Sequence, residues 1–245
     1  SHYAPYLILW SRNITFIALL TFNTRRISKK KRITFARPTN DIIAGVNRVI
    51  EKHNSRGFTI TTVHGDNEFE KLRDKIDAVL EICGANQHNP HIEREIRTIK
   101  ERQRCYWDDL PYKQVPKIMI DENLIDIIFW INQYVRKTGI SSTMSAGAIV
   151  LGTGPVDCRN LQLSFGSYCI VYTETKNNHH PRGVRAITLR PSNSEGGYYF
   201  MSLETGKRIH GFQWTELAIT EEVIERVHEL ARDQHAEYLD EDGYQ

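Results

Sequence analysis

Hydrophobic positions open the chain in two short runs, residues 5–10 and 14–22, separated by Arg12. Both fall short of the roughly 20 apolar residues that a membrane-spanning helix needs, and they read as two buried strands. A third strand is expected at 32–36, closed by Pro38. From Asn40 or Asp41, either of which can cap a helix, Ile42, Ile43, Val46, Val49 and Ile50 recur at helical spacing to about His53. The turn residues 54–57 stop that helix. Residues 58–63 are short and β-branched, which predicts a buried strand. Helical spacing returns at Phe69, Leu72, Ile76, Val79 and Leu80, predicting a helix over 68–82 and then a polar loop over 84–90.

The sharpest periodicity lies at 91–106. Ile92, Ile96 and Ile99 form an apolar stripe, and Glu93, Arg97, Lys100 and Arg104 fall on an adjacent face. Two readings of that face stay open. It is a carboxylate at the foot of a basic ridge, suited to a phosphate backbone, or a solvated ladder of i,i+4 pairs, Glu93–Arg97–Glu101. Pro111 and Pro116 introduce a long helix to Lys137, stopped by Gly139. Leu124, Ile127, Ile128, Phe129, Ile131, Tyr134 and Val135 make it too apolar for a surface helix, so it is expected to pack under a sheet. A Gly/Pro/Asp cluster at 152–157 marks a boundary. Beyond it the period changes to two, with strands predicted at 165–173, 184–190, 198–203 and 208–214. Short strands at such spacing argue for a small β-barrel or sandwich. A last amphipathic helix over 221–232 carries Val223, Ile224, Val227 and Leu230.

Composition adds little except through charge. The 245 residues can form one large domain or a core with a small appendage. The net charge of +2 hides an uneven spread: residues 1–40 carry eight basic residues and no acid, six of them within 25–32. Residues 216–245 carry ten acids against Arg226 and Arg232. A basic arm points to an anionic partner, nucleic acid in the first place, with a solvated surface loop as the plainer reading. No charged segment precedes the first apolar run, as a secretory signal would require. Cys83, Cys105, Cys158 and Cys169 have no CxxC spacing, so four reduced thiols in an intracellular protein are expected. A zinc set of Cys158, Cys169, His179 and His180 is irregularly spaced.

The candidate chemistry sits in HGDNE, residues 64–68, and IEREIRTIKER, residues 92–102. The first ends a strand-like run with Asp66, and the second opens a helix with Glu93. A carboxylate at a strand tip facing one on a nearby helix can hold Mg²⁺ or Mn²⁺, because hard cations prefer oxygen ligands. Two such ions about 4 Å apart clamp a phosphodiester for in-line displacement. That chemistry takes a third carboxylate, from the first strand of the same sheet. Here the first acid is Asp41. The alternative for Asp66 is a strand-end residue that starts a turn with Asn67 and caps the next helix. Glu95 and Glu101 are the other carboxylates available. Glu95 points away from the Glu93 face, Glu101 lies two turns on, and His64 is given no role.

These segments, in this order, resemble the integrase region of Copia-type (Pseudoviridae) retrotransposon polyproteins, of the divergent kind found in diatoms and other algae. HGDNEF at 64–69 is similar to the family's second catalytic Asp with its following Asn and Glu-Phe, without the usual glycine before Glu-Phe. IEREIRT at 92–98 resembles its Glu-Arg-x-Asn-Arg-Thr helix, with Ile96 in place of Asn. Residues 110–133, LPYKQVPKIMIDENLIDIIFWINQ, are similar to the helix after the catalytic Glu. STMSAGAIVLG at 142–152 resembles the segment that closes the core. FGSYCIVY at 165–172 and residues 197–217 look like the barrel module beyond it.

The likeness spans roughly residues 6–230. It implies an α/β fold: an RNase H-like integrase core over 1–155, a mixed sheet flanked by helices, followed by a small β-barrel over 156–217 and a helical acidic tail over 218–245. It implies DNA integration by 3′-end processing and strand transfer, with Mg²⁺ or Mn²⁺ held by Asp66 and Glu93 as catalytic and metal ligands. DNA contacts are expected from Arg97, Lys100 and Arg104 and from Lys29, Lys30, Lys31 and Arg32. Implied partners are DNA, other parts of the retroelement polyprotein and further copies of the chain, in a cytoplasmic particle and the nucleus, with no membrane. The family's first catalytic Asp is not found, its HHCC zinc module does not precede the core, and the gap from Asp66 to Glu93 is short. A fragment of a degenerate copy is expected: an integrase core short of one residue, or a non-catalytic nucleic-acid-binding remnant.

Overall fold

The computed structural model describes residues 6–21, 25–29, 32–36, 39–83, 90–154, 156, 158, 161–172, 183–193 and 195–240. The chain is a mixed α/β protein in two compact units. One comprises Ser1–Thr98 and Ile128–Pro155, the other Ile99–Ile127 and Val156–Gln245.

In the first unit, β1 (Tyr6–Trp10) and β2 (Ile17–Thr21) pair antiparallel, with Tyr6 opposite Thr21 and Trp10 opposite Ile17. The link turns back through Thr15 at φ 62°, and the Ser11 hydroxyl accepts from the Phe16 N–H at 3.1 Å. β3 (Arg25–Lys29) and β4 (Arg32–Ala36) form a second antiparallel pair. The strand β3 is a correction to the reading of 25–32 as a basic arm: one apolar residue, Ile27, in five gives no period-two signal. α1 (Thr39–Asn54) buries Ile42, Val46 and Ile50 at helical spacing, as expected.

β5 (Thr62–Gly65) starts later than the predicted strand at 58–63, and it pairs parallel with β6 (Val79–Ile82). The helix predicted over 68–82 does not form. Residues Asn67–Leu72 make a 3-10 turn, bends come next, and the segment ends as β6. Leu72, Ile76 and Leu80 are buried as the spacing demands, against Leu7, Ile42, Val46 and Ile50. The backbone departs from the helix because Asp74 takes a left-handed φ of 59°. The 79–82 run then finds a strand partner in β5. Period alone does not separate these outcomes.

α3 (Lys117–Gln133) ends four residues before the predicted Lys137, leaving Tyr134 and Val135 exposed beyond it. Its last turn meets β2: the Asn132 amide oxygen accepts from the Ile17 N–H at 2.9 Å, and its NH₂ donates to the Ile17 carbonyl at 2.7 Å. α4 (Ala146–Leu151) is capped by the Ser145 hydroxyl, which accepts from the Ala148 N–H at 3.1 Å. It stops at Gly152, φ 67°, where a Cβ would also collide with the Arg56 guanidinium.

The second unit is built on one five-stranded antiparallel sheet in the order β10 (Arg208–Gly211), β9 (Tyr198–Ser202), β8 (Gly183–Pro191), β7 (Tyr168–Tyr172), β11 (Trp214–Leu217). The single strand predicted at 208–214 is in fact two, β10 and β11, on opposite edges. The first closes at Gly211, which packs onto Val171 so closely that a Cβ would not fit. The end strands do not pair with each other, so no closed barrel is formed among the described residues. One face packs on α5 (Glu221–Asp240) through Val223, Val227 and Leu230, with Tyr112 and Met119 in the same core. The Tyr112 hydroxyl donates to the Gly166 carbonyl at 3.0 Å, and burial pushes its pKa up. α5 runs eight residues past the predicted Arg232.

Candidate functional site

Asp66 follows the last residue of β5. Gly65 before it lets Phe69 fold back closely, since a Cβ there would lie 3.2 Å from the ring. The Asp66 carbonyl accepts the Phe69 N–H at 2.9 Å and starts the 3-10 turn. Its side chain makes no capping bond and is exposed to solvent. The capping alternative for Asp66 is therefore not realised. Beside it, His64 and Glu81 face each other across the β5–β6 register at 3.2 Å.

Glu93 lies in the first turn of α2 (Pro90–Asp108), also exposed, where the helix dipole favours a carboxylate. Two contacts fix this end of α2. The His91 ring stacks on Trp10 at the end of β1, centroids 5.5 Å apart and 13° from parallel. Glu95 receives two bonds from the Arg136 guanidinium, 2.6 and 2.9 Å, with both side chains largely buried. Glu95 is thus spent on packing and turned from the Glu93 face, as expected. Neither contact is legible in the sequence: Arg136 sits 41 positions from Glu95, and helical spacing names no partner so far away.

Arg97, Lys100 and Arg104 are exposed on α2 at i, i+3 and i+7. None of them is in an ion pair among the described residues. Among the described residues no ion pair joins Arg97 to Glu93 or Glu101 as the ladder would require. Lys29 closes β3 opposite Arg32, which opens β4, while Lys30 and Lys31 lie outside the described residues.

Asp66 and Glu93 are both exposed, one just after a strand end and the other in the first turn of a helix. Among the described residues no group of three His, Cys, Asp or Glu side chains is placed to hold a metal. For the zinc set, Cys169 is buried and Cys158 exposed, and His179 and His180 lie outside the described residues. No helix is long and apolar enough to cross a membrane, among the residues described. No protein-family model matches the chain, and none of the curated proteins is similar to it in sequence.

Proposed function

We propose that this chain is the integrase region of a Copia-type retroelement polyprotein, binding DNA along α2 but performing no strand transfer by itself. The observation that carries the reading is the α2 face, where exposed Glu93 is followed by three cations without carboxylate partners among the described residues. The collinear likeness over residues 6–230 supports it. So does Asp66 at the end of β5, its side chain not used as a cap. The finer fold belongs to the same reading: an RNase H-like core holding Asp66 and Glu93, then a small barrel-type module.

Asp66 and Glu93 are the residues that would hold Mg²⁺ or Mn²⁺, which supplies charge neutralisation at a phosphodiester. The chain's own part is to present two carboxylates at the strand tip and the helix start. Arg97, Lys100 and Arg104 orient the DNA backbone without reading its sequence. Strand transfer takes one more carboxylate, and no Asp or Glu precedes Asp41.

The test pairs binding with joining. The chain should bind element-end duplex DNA and yield no joined product with Mn²⁺ present. Joining abolished by Asp66→Asn would contradict the incomplete-site part and make Asp41 or Glu68 the missing ligand. Failure to bind duplex DNA at low salt would contradict the reading as a whole.

A further inference from the structure

The sheet of the second unit carries a cationic and aromatic strip that plays no part in DNA binding along α2. Its anchor is Glu122 on α3, whose side chain is only 5% exposed. One carboxylate oxygen accepts from Arg190 Nε at 2.6 Å and the other from Arg208 Nη1 at 2.7 Å. Two guanidiniums on one carboxylate leave a net positive charge. Both also lie over the Tyr199 ring, each 4.7 Å from its centroid.

Arg190 is nearly buried, but the Arg208 side chain is 47% exposed. One donor of Arg208 is fixed on Glu122 and one face on Tyr199, and its remaining donors can meet a ligand. A guanidinium held this way loses less freedom on binding an anion than a mobile surface arginine does.

The strip continues along the edge strand β10. Alternation turns Ile209 towards the core of Tyr198, Phe200 and Trp214. His210 instead stands 5.0 Å from the Tyr199 ring, held by the Gly196 carbonyl at 2.8 Å. Phe212 comes next at 4.7 Å from His210, with 63% of its surface exposed. Folding gains little from an aromatic ring left so far in water. Glu195 lies 3.6 Å from His210 and is itself exposed and solvated.

A pre-positioned cation beside one exposed aromatic ring matches a strand whose phosphates and base faces are both accessible. We propose that Arg208, Tyr199, His210 and Phe212 form a binding site for single-stranded nucleic acid. Phe212 stacks on a base, with His210 and Tyr199 supporting its ring from behind, and Arg208 takes a phosphate. A duplex, its bases already stacked on one another, offers no free base face to this strip. The site goes beyond the role given to α2 and does not rest on it.

The test uses the full 245-residue chain. Fluorescence anisotropy would compare a homothymidine strand, a homouridine strand and a duplex, each about 20 nucleotides long. Phe212→Ala should weaken both single strands by about fivefold or more and leave the duplex unchanged, because one stacked base is lost. Phe212→Trp should restore the affinity. Arg208→Gln should flatten the salt dependence for single strands by about one contact. Single-strand affinities within about twofold of the parent for Phe212→Ala would overturn the site, as would an equal loss on the duplex. The α2 reading fails on different data: a duplex affinity indifferent to Arg97, Lys100 and Arg104.

Discussion

Asn132 shows how tightly a single polar side chain can be built into a core. It is buried at the end of α3 and uses its amide as a surrogate strand, satisfying both the N–H and the carbonyl of Ile17. Its removal leaves two backbone groups unpaired in a dry environment, and each such group costs about 1–3 kcal/mol. Asn132→Ala should therefore destabilise the chain by about 2–6 kcal/mol, read as a lower denaturant midpoint at unchanged m-value. A shift within about 0.5 kcal/mol would show that water takes over those bonds. No pattern announces this residue, since an Asn on a helix otherwise full of isoleucine carries no statement about its partner 115 positions away. Gly152 is the opposite case. It opens the Gly/Pro/Asp cluster read as a boundary, and it ends α4 in the left-handed region.

At the scale of elements, α2 is held in one rotational setting by contacts near its start. Trp10 stacks on His91, and Arg136 grips Glu95 with two bonds. With Glu95 turned inward, Glu93, Arg97, Lys100 and Arg104 are left exposed. Arg136→Ala strands the Glu95 carboxylate, largely buried, and should cost about 1–3 kcal/mol. A thermal melt unchanged by that substitution would mean α2 is positioned by its apolar stripe alone. The stripe Ile92, Ile96 and Ile99 is legible because a helix records its buried face every third or fourth residue. The segment after β5 is not. Leu72, Ile76 and Leu80 keep helical spacing and are buried, yet they lie on a 3-10 turn, a bend and a strand. The same spacing serves any path that returns to the core at those points. The basic hairpin of β3 and β4 is half legible, because Ile33 and Phe35 alternate in the second strand and nothing alternates in the first.

For the whole molecule, the change of period near residue 155 correctly announces a β-rich region, and four predicted strands become five in one antiparallel sheet. The units themselves are less legible. The chain passes from one to the other inside α2 and inside α3 as well as between Pro155 and Val156, and a continuous helix gives no compositional mark of such a crossing. Asp66 follows a strand end and Glu93 lies in the first turn of a helix, as their neighbours in sequence indicate, because both placements are local features. A third ligand is a long-range feature, and no Asp or Glu before Asp41 could signal it.

The central claim, that α2 presents its cations to a DNA backbone, is tested most directly by a salt titration of duplex affinity. The parent chain would be compared with the variant in which Arg97, Lys100 and Arg104 are all replaced by Ala. Each phosphate contact contributes about 0.9 to the slope of log affinity against log salt. The variant should therefore bind more weakly at low salt, with a slope flatter by up to about three units, and fold as the parent does because the apolar stripe is untouched. A variant that keeps both the affinity and the slope of the parent would contradict the account and make this face of α2 a solvated surface.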